Sequence, residues 1–85
     1  MNEVTWTAKA VKQLVKIPKP DQVKIRDSVN EKLPAFPDCT EVKALRNHLY
    51  VHRLRVGRWR VLFDFDGMVR IVAIQEVRRR DEHTY

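Results

Sequence analysis

The chain has 85 residues, 17 of them Lys or Arg against 11 Asp or Glu, for a formal net charge of +6. That length supports a single hydrophobic core and one domain over residues 1–85. The lone cysteine, Cys39, excludes an internal disulfide and has no His or Cys at ligand spacing, so neither a structural bridge nor a zinc site is expected. No run approaches the ~18 apolar residues of a membrane span, and no charged-then-apolar leader opens the chain. A soluble cytoplasmic protein is expected, with no membrane partner, metal or small-molecule cofactor. Its positive balance favours a polyanion or an acidic protein as partner.

In chain order, Val4, Thr5 and Trp6 form a short β-prone run. The stretch TAKAVKQLVKIP follows, with Val11, Leu14 and Val15 at helical spacing. Thr7 is the expected N-cap, and Pro18 stops this helix at about Lys16. A second helix starts at Pro20 and Asp21, a first-turn proline and a carboxylate suited to the positive end of the dipole, and runs to about Lys32. Its apolar residues Val23, Ile25, Val29 and Leu33 are few among many cations, which predicts a two-helix hairpin with one face on the core. Pro34 and Pro37 end it, and PAFPDCTEVKAL reads as a connecting loop.

From His48 the period becomes two. HLYVHRLRV, RWRVLFDF and MVRIVAIQEV are strand-length runs divided by Gly57 and by Asp66-Gly67, the latter a signal for a two-residue type I′ hairpin. The predicted fold is α+β: an N-terminal strand, a two-helix hairpin and an antiparallel three-strand meander, with both helices on one sheet face.

Alternation places Trp59, Val61, Phe63 and Phe65 on one face as core, and Arg58, Arg60, Leu62 and Asp64 on the other. In the preceding strand Val51, Arg53 and Arg55 oppose Tyr50, His52, Leu54 and Val56, and the second set belongs with the core. The last strand is apolar on both faces, as a central covered strand would be. Arg53, Arg55, Arg58 and Arg60 then gather on the face away from the helices, beside the exit through Arg78, Arg79 and Arg80 toward His83 and Tyr85. Cleaving RNA through its own 2′-hydroxyl needs a base, an acid and cations for the charge that builds on phosphate, and the planar guanidinium suits the last role. A basic sheet face is also how a solvated surface or a docking site looks. Taken singly, Arg58 and Arg70 read first as strand surface, His52 as a core-edge histidine, Trp6 and Trp59 as core, and His83 and Tyr85 as a chain end.

The stretch LRNHLYVHRLRVGRWRVLFDFDGMVRIVAIQEVRRRDEHTY resembles the RelE/ParE superfamily of bacterial toxins from type II toxin–antitoxin pairs. It shows that superfamily's strand of alternating basic residues, its glycine hairpin followed by arginine, and its apolar strand running into an arginine-rich tail that ends near a tyrosine. With the helix hairpin and the KALR lead-in, the resemblance spans essentially the whole chain. It implies a RelE-like toxin: a metal-independent, ribosome-dependent endoribonuclease (mRNA interferase) that cuts messenger RNA in the A site, beside 16S ribosomal RNA, and is silenced by a cognate acidic antitoxin. Carried over, Arg53, Arg60 and Arg80 take the basic and phosphate-binding positions and Tyr85 the position of the proton-abstracting tyrosine. His83 is a rival for that role, because the interval from Arg80 to Tyr85 is shorter than in relatives. Arg55, Arg58, Arg78 and Arg79 are secondary phosphate-binding candidates. Where relatives often have two lysines, this chain has Val51 and Arg53. Two other functions fit the same charge: a ParE-like inhibitor of DNA gyrase without nuclease activity, and a non-catalytic nucleic-acid-binding module.

Overall fold

The computed structural model describes residues 1–46 and 50–79. Five strands form one mixed sheet in the order β1-β5-β4-β3-β2. Strand β1 (Glu3–Trp6) leads into helices α1 (Ala8–Val15) and α2 (Lys19–Lys32), and a 3₁₀ turn (Leu33–Ala35) follows. Then come β2 (Val42–Ala44), β3 (His52–Val56), β4 (Trp59–Asp66) and β5 (Ile71–Arg79). The predicted order of strand, two helices and three-strand meander is present, and β1 closes the sheet by pairing parallel to β5.

Local chemistry sets the helix limits. The hydroxyl oxygen of Thr7 accepts from Ala10 N–H at 3.2 Å and caps α1 as expected. At the other end Gln22 Nε2 donates to the carbonyl of Ile17 at 2.7 Å, tying the start of α2 to the interhelical turn. Ala10 and Leu14 from α1 and Ile25 and Val29 from α2 pack with Ile17, Leu33 and Phe36 against Leu54, Val61, Phe63, Val72, Ile74 and Val77. One sheet face is thus core, and Trp6, Val56, Trp59 and Phe65 flank it. His52 lies on this side as alternation requires, stacked on Phe63 at 5.4 Å between centroids and edge-on to Phe36. Its desolvation there lowers the imidazole pKa.

Four local expectations are corrected. The loop after the helices contains a strand, β2, pairing with β3 from Val42↔Leu54 to Ala44↔His52. Three residues are too few to display a period, so the pairing is visible only in space. The Asp66-Gly67 turn is a four-residue connection over residues 67–70, with Asp66 opposite Ile71, so β5 begins at Ile71 rather than Met68. Asp66 Oδ1 accepts from Met68 N–H at 2.9 Å, and the left-handed residue is Arg70, φ +56°. The two-residue hairpin is instead Gly57-Arg58, between the paired residues Val56 and Trp59. Gly57 has φ +57° with open space around its Cβ position, so glycine serves the backbone conformation there.

The fourth correction concerns β5. Leu62 pairs with Glu76 and Phe63 with Ile74, so Gln75 is an extra residue that breaks the alternation. Before this bulge Val72 and Ile74 face the core; after it Val77 does. One strand therefore contributes both parities to the same face. That shift contributes to the apolar look of both faces, and the far face is itself covered at Leu62 and Glu76.

Candidate phosphate-binding face

The bulge also decides which cations meet. Alternation puts Arg55, Arg60 and Arg78 on the face away from the helices, because Leu54, Val61 and Val77 beside them all point into the core. Arg55 lies directly opposite Arg60, and Arg60 directly opposite Arg78. Three arginines thus stand abreast on β3, β4 and β5, with strands about 4.8 Å apart. One rung away Lys43, Arg53, Leu62 and Glu76 are in register across β2 to β5. Like charges directly opposite each other in a sheet are destabilising, by up to about 1 kcal/mol per pair.

One carboxylate offsets this repulsion. Glu76 is 2% exposed, the deepest charged side chain in the described chain. Its Oε1 accepts from Arg78 Nε at 2.7 Å, its Oε2 lies 3.2 Å from Lys9 Nζ on α1, and the Tyr50 hydroxyl donates to the same carboxylate. Burial raises the pKa of Glu76, but the bonds from Arg78, Tyr50 and Lys9 and the charge of Arg78 outweigh it and hold the carboxyl at about 2. The bond to Glu76, then burial, raises the pKa of Tyr50. Tyr50 therefore keeps its proton at neutral pH. Asp64, on the same face, accepts from Val51 N–H at 3.1 Å and from Gln75 at 3.4 Å.

Strand β1 covers only Ile71–Ile74 of β5, and α1 packs along the remainder. Gln13 on α1 accepts from the Val77 N–H at 2.7 Å, satisfying a donor on that uncovered stretch of β5. A cleft of about 500 Å³ opens along this seam, lined by Lys9, Lys16, Arg78 and Arg79 among others. It joins the arginine row at Arg78.

Of the residues singled out in the sequence, the structure brings Arg53, Arg55, Arg60 and Arg78 onto one face. It does not bring Arg58 or Arg79 there. Arg58 occupies the hairpin turn and lines a small recess of about 200 Å³ with Asp21 and Lys24 on the helix side. Arg79 is opposite Trp59 and places its guanidinium 5.9 Å from that indole's centroid, also on the helix side. Tyr50 moves the other way: it precedes β3, and its hydroxyl reaches Glu76 rather than the core. Arg80, His83 and Tyr85 lie outside the described residues. Glu76, Tyr50 and Lys9 escaped sequence reasoning because 67 positions separate Lys9 from Glu76, and no local period links them. The one available signal was the Glu76-x-Arg78 spacing, which on a strand puts opposite charges side by side.

No protein-family model matches the sequence, and no curated protein matches it at a significant level. The likeness lies in solved structures. A chain of the toxin–antitoxin complex RelBE2 from Mycobacterium tuberculosis superposes with a TM-score of 0.82 at 26% identity, over 93% of this chain and 98% of that one. The archaeal RelE–RelB complex from Pyrococcus horikoshii gives 0.70 at 21% identity, over 95% and 97%. The isolated Escherichia coli RelE toxin gives 0.77 at 12%, over 99% and 89%. The chain is RelE-like, and its two helices on a five-stranded mixed sheet match the RelE structures.

Proposed function

We propose that this RelE-like chain is the toxin of a type II toxin–antitoxin pair and acts as a ribosome-dependent messenger-RNA endonuclease. The observation that carries this reading is the row Arg55–Arg60–Arg78, three guanidinium groups on adjacent strands. Guanidinium groups side by side on one face suit the phosphates of a polyanion. In the proposed reaction the 2′-oxygen of the message attacks the adjacent phosphorus and the P–O5′ bond breaks. The 2′-hydroxyl proton passes to a base and the leaving 5′-oxygen takes one from an acid, giving a 2′,3′-cyclic phosphate and a 5′-hydroxyl. Arg60, flanked on both sides, would hold the phosphoryl oxygens as negative charge builds. Arg53 and Arg55 would extend the contact along the strand. Arg80, with Tyr85 or His83, would supply the chemistry from the tail. Tyr50, held protonated by Glu76, can donate a proton or a hydrogen bond but is not the base.

The ribosome would present and orient the message over this face. An acidic antitoxin is the proposed silencer: complexes with RelB stand among the structural neighbours, and among the described residues the two adjacent rungs of strand positions at the arginine row carry five cations, Lys43, Arg53, Arg55, Arg60 and Arg78, against one carboxylate, Glu76. The test is cleavage of ribosome-programmed mRNA, mapped by primer extension, for wild type, Arg60→Ala and Tyr85→Phe. Cuts inside the A-site codon that weaken by about 10²-fold or more in Arg60→Ala are expected. Retained cutting by Tyr85→Phe would transfer the base to His83. Folded wild type that leaves the message intact would overturn the nuclease, and a gyrase supercoiling assay would then test the ParE-like alternative.

A further inference from the structure

We propose that Glu76 is a positioning residue that anchors the guanidinium of Arg78 beside Arg60 and so sets the geometry of the phosphate cradle. The inference rests on the nuclease reading for its consequence, not for its geometry. A carboxylate beside a site for an anion is unexpected on electrostatic grounds, since it repels the ligand that its neighbours attract. Burying one is also costly, and an apolar side chain at such a position commonly folds as well or better. Leu62, in register with Glu76 and fully buried, shows that this rung accepts an apolar residue. The carboxylate therefore has work besides filling space.

The hydrogen bonds indicate which work. Both oxygens are engaged, by partners from three separate parts of the chain: Lys9 on α1, Tyr50 before β3, and Arg78 on β5. Arg78 is held through Nε at 2.7 Å, the nitrogen nearest its flexible stem. That bond limits how far the guanidinium can swing from the carboxylate. An arginine stem has several free torsions and loses much rotamer entropy when it clamps a ligand. Anchoring it beforehand removes part of that cost from the step in which the guanidinium meets the charge building on phosphate. Lys9 and Tyr50 in turn fix the carboxylate, so the orientation of Arg78 reports on the seating of α1 and of the segment before β3.

Two readouts test this separately from the nuclease claim. The first is the Arg78 Nε–H resonance in ¹⁵N-labelled protein, expected as a distinct, slowly exchanging signal in wild type and at a solvent-like position in Glu76→Gln. The second is a single-turnover cycle on saturating programmed ribosomes with Glu76→Gln, Arg78→Ala and the double variant. Glu76→Gln is expected to slow cleavage about tenfold with binding little changed, and the double variant to match Arg78→Ala alone. Additive losses, or Glu76→Gln cleaving at the wild-type rate, would overturn the proposal. Should Glu76→Gln fail to fold, Arg78→Lys replaces it, because lysine keeps the charge but not the Nε anchor. Slow cleavage by Arg78→Lys supports the proposal and a wild-type rate overturns it. If wild type itself does not cleave, the nuclease reading falls alone. The anchoring claim is then decided by the Nε–H signal: a solvent-like position in wild type would contradict it.

Discussion

The two faces of the sheet are made from the same strands and obey opposite rules. Toward the helices, Leu54, Val61, Phe63, Val72 and Ile74 are all fully buried in one hydrophobic cluster. Away from them, the same strands align Arg55, Arg60 and Arg78 rung by rung and bury a carboxylate among cations. The first face is what hydrophobic burial produces without further demands. The second gathers Lys9, Tyr50 and Arg78 around the Glu76 carboxylate. The difference between the faces separates residues that make the fold from those the proposed function would use.

Substitutions should respect that division. The largest effect on stability is expected from Phe63→Ala on the core face. The ring meets Phe36 edge-on at 5.3 Å and stacks on His52, and its loss should cost roughly 3–5 kcal/mol in urea unfolding. If Phe63→Ala left stability intact, the helix side would not be the core.

Next is the acid response of the open face. The Glu76 pKa falls from 4.5 to about 2 on folding, so its contribution is fully present above about pH 4.5 and is lost as pH drops toward 2. The wild type should lose on the order of 3 kcal/mol across that window through this group. Glu76→Gln should show a correspondingly flatter profile in unfolding at stepped pH. Equal slopes would mean that the carboxylate is not held by its cations.

A smaller effect belongs to the border between the faces. Trp59 Nε1 donates to Asp21 Oδ2 at 3.1 Å, pinning the start of β4 to the first turn of α2. Trp59→Phe should cost roughly 1 kcal/mol. It should leave cleavage per folded molecule unchanged. A specific loss of cleavage would extend the functional face around the edge of the sheet.

Much of this was legible in the sequence where the chemistry is local. Thr7 as cap, Pro18 as stop, the glycine hairpin at Gly57 and the alternation in Trp59–Asp66 each act over a few residues. Where the sequence misled, a single residue shifted a phase. Gln75 bulges out of β5, so Val77 joins the core and Arg78 comes opposite Arg60, while Arg79 turns to Trp59. Arg58 looked like a strand residue and is a turn residue, because only Gly57 and Arg58 separate the paired Val56 and Trp59. Strand β2 was too short to show a period, and the Glu76 network joins residues that no spacing connects. Of the site residues expected from the RelE/ParE resemblance, Arg53 and Arg60 share the arginine face, whereas Arg80, His83 and Tyr85 lie outside the described residues.

The most direct test of the open face as a phosphate site compares two arginines that differ by position and not by charge. Arg60 stands in the middle of the row, and Arg58, two residues earlier, sits in the hairpin turn on the other side. Single-turnover cleavage of ribosome-programmed mRNA by Arg58→Ala and Arg60→Ala removes one positive charge in each case. Arg60→Ala should be slower by about 10²-fold or more per folded molecule, and Arg58→Ala should stay within a few-fold of wild type. Equal losses in the two variants would show that net charge alone acts, and would contradict a site built by register on one face of the sheet.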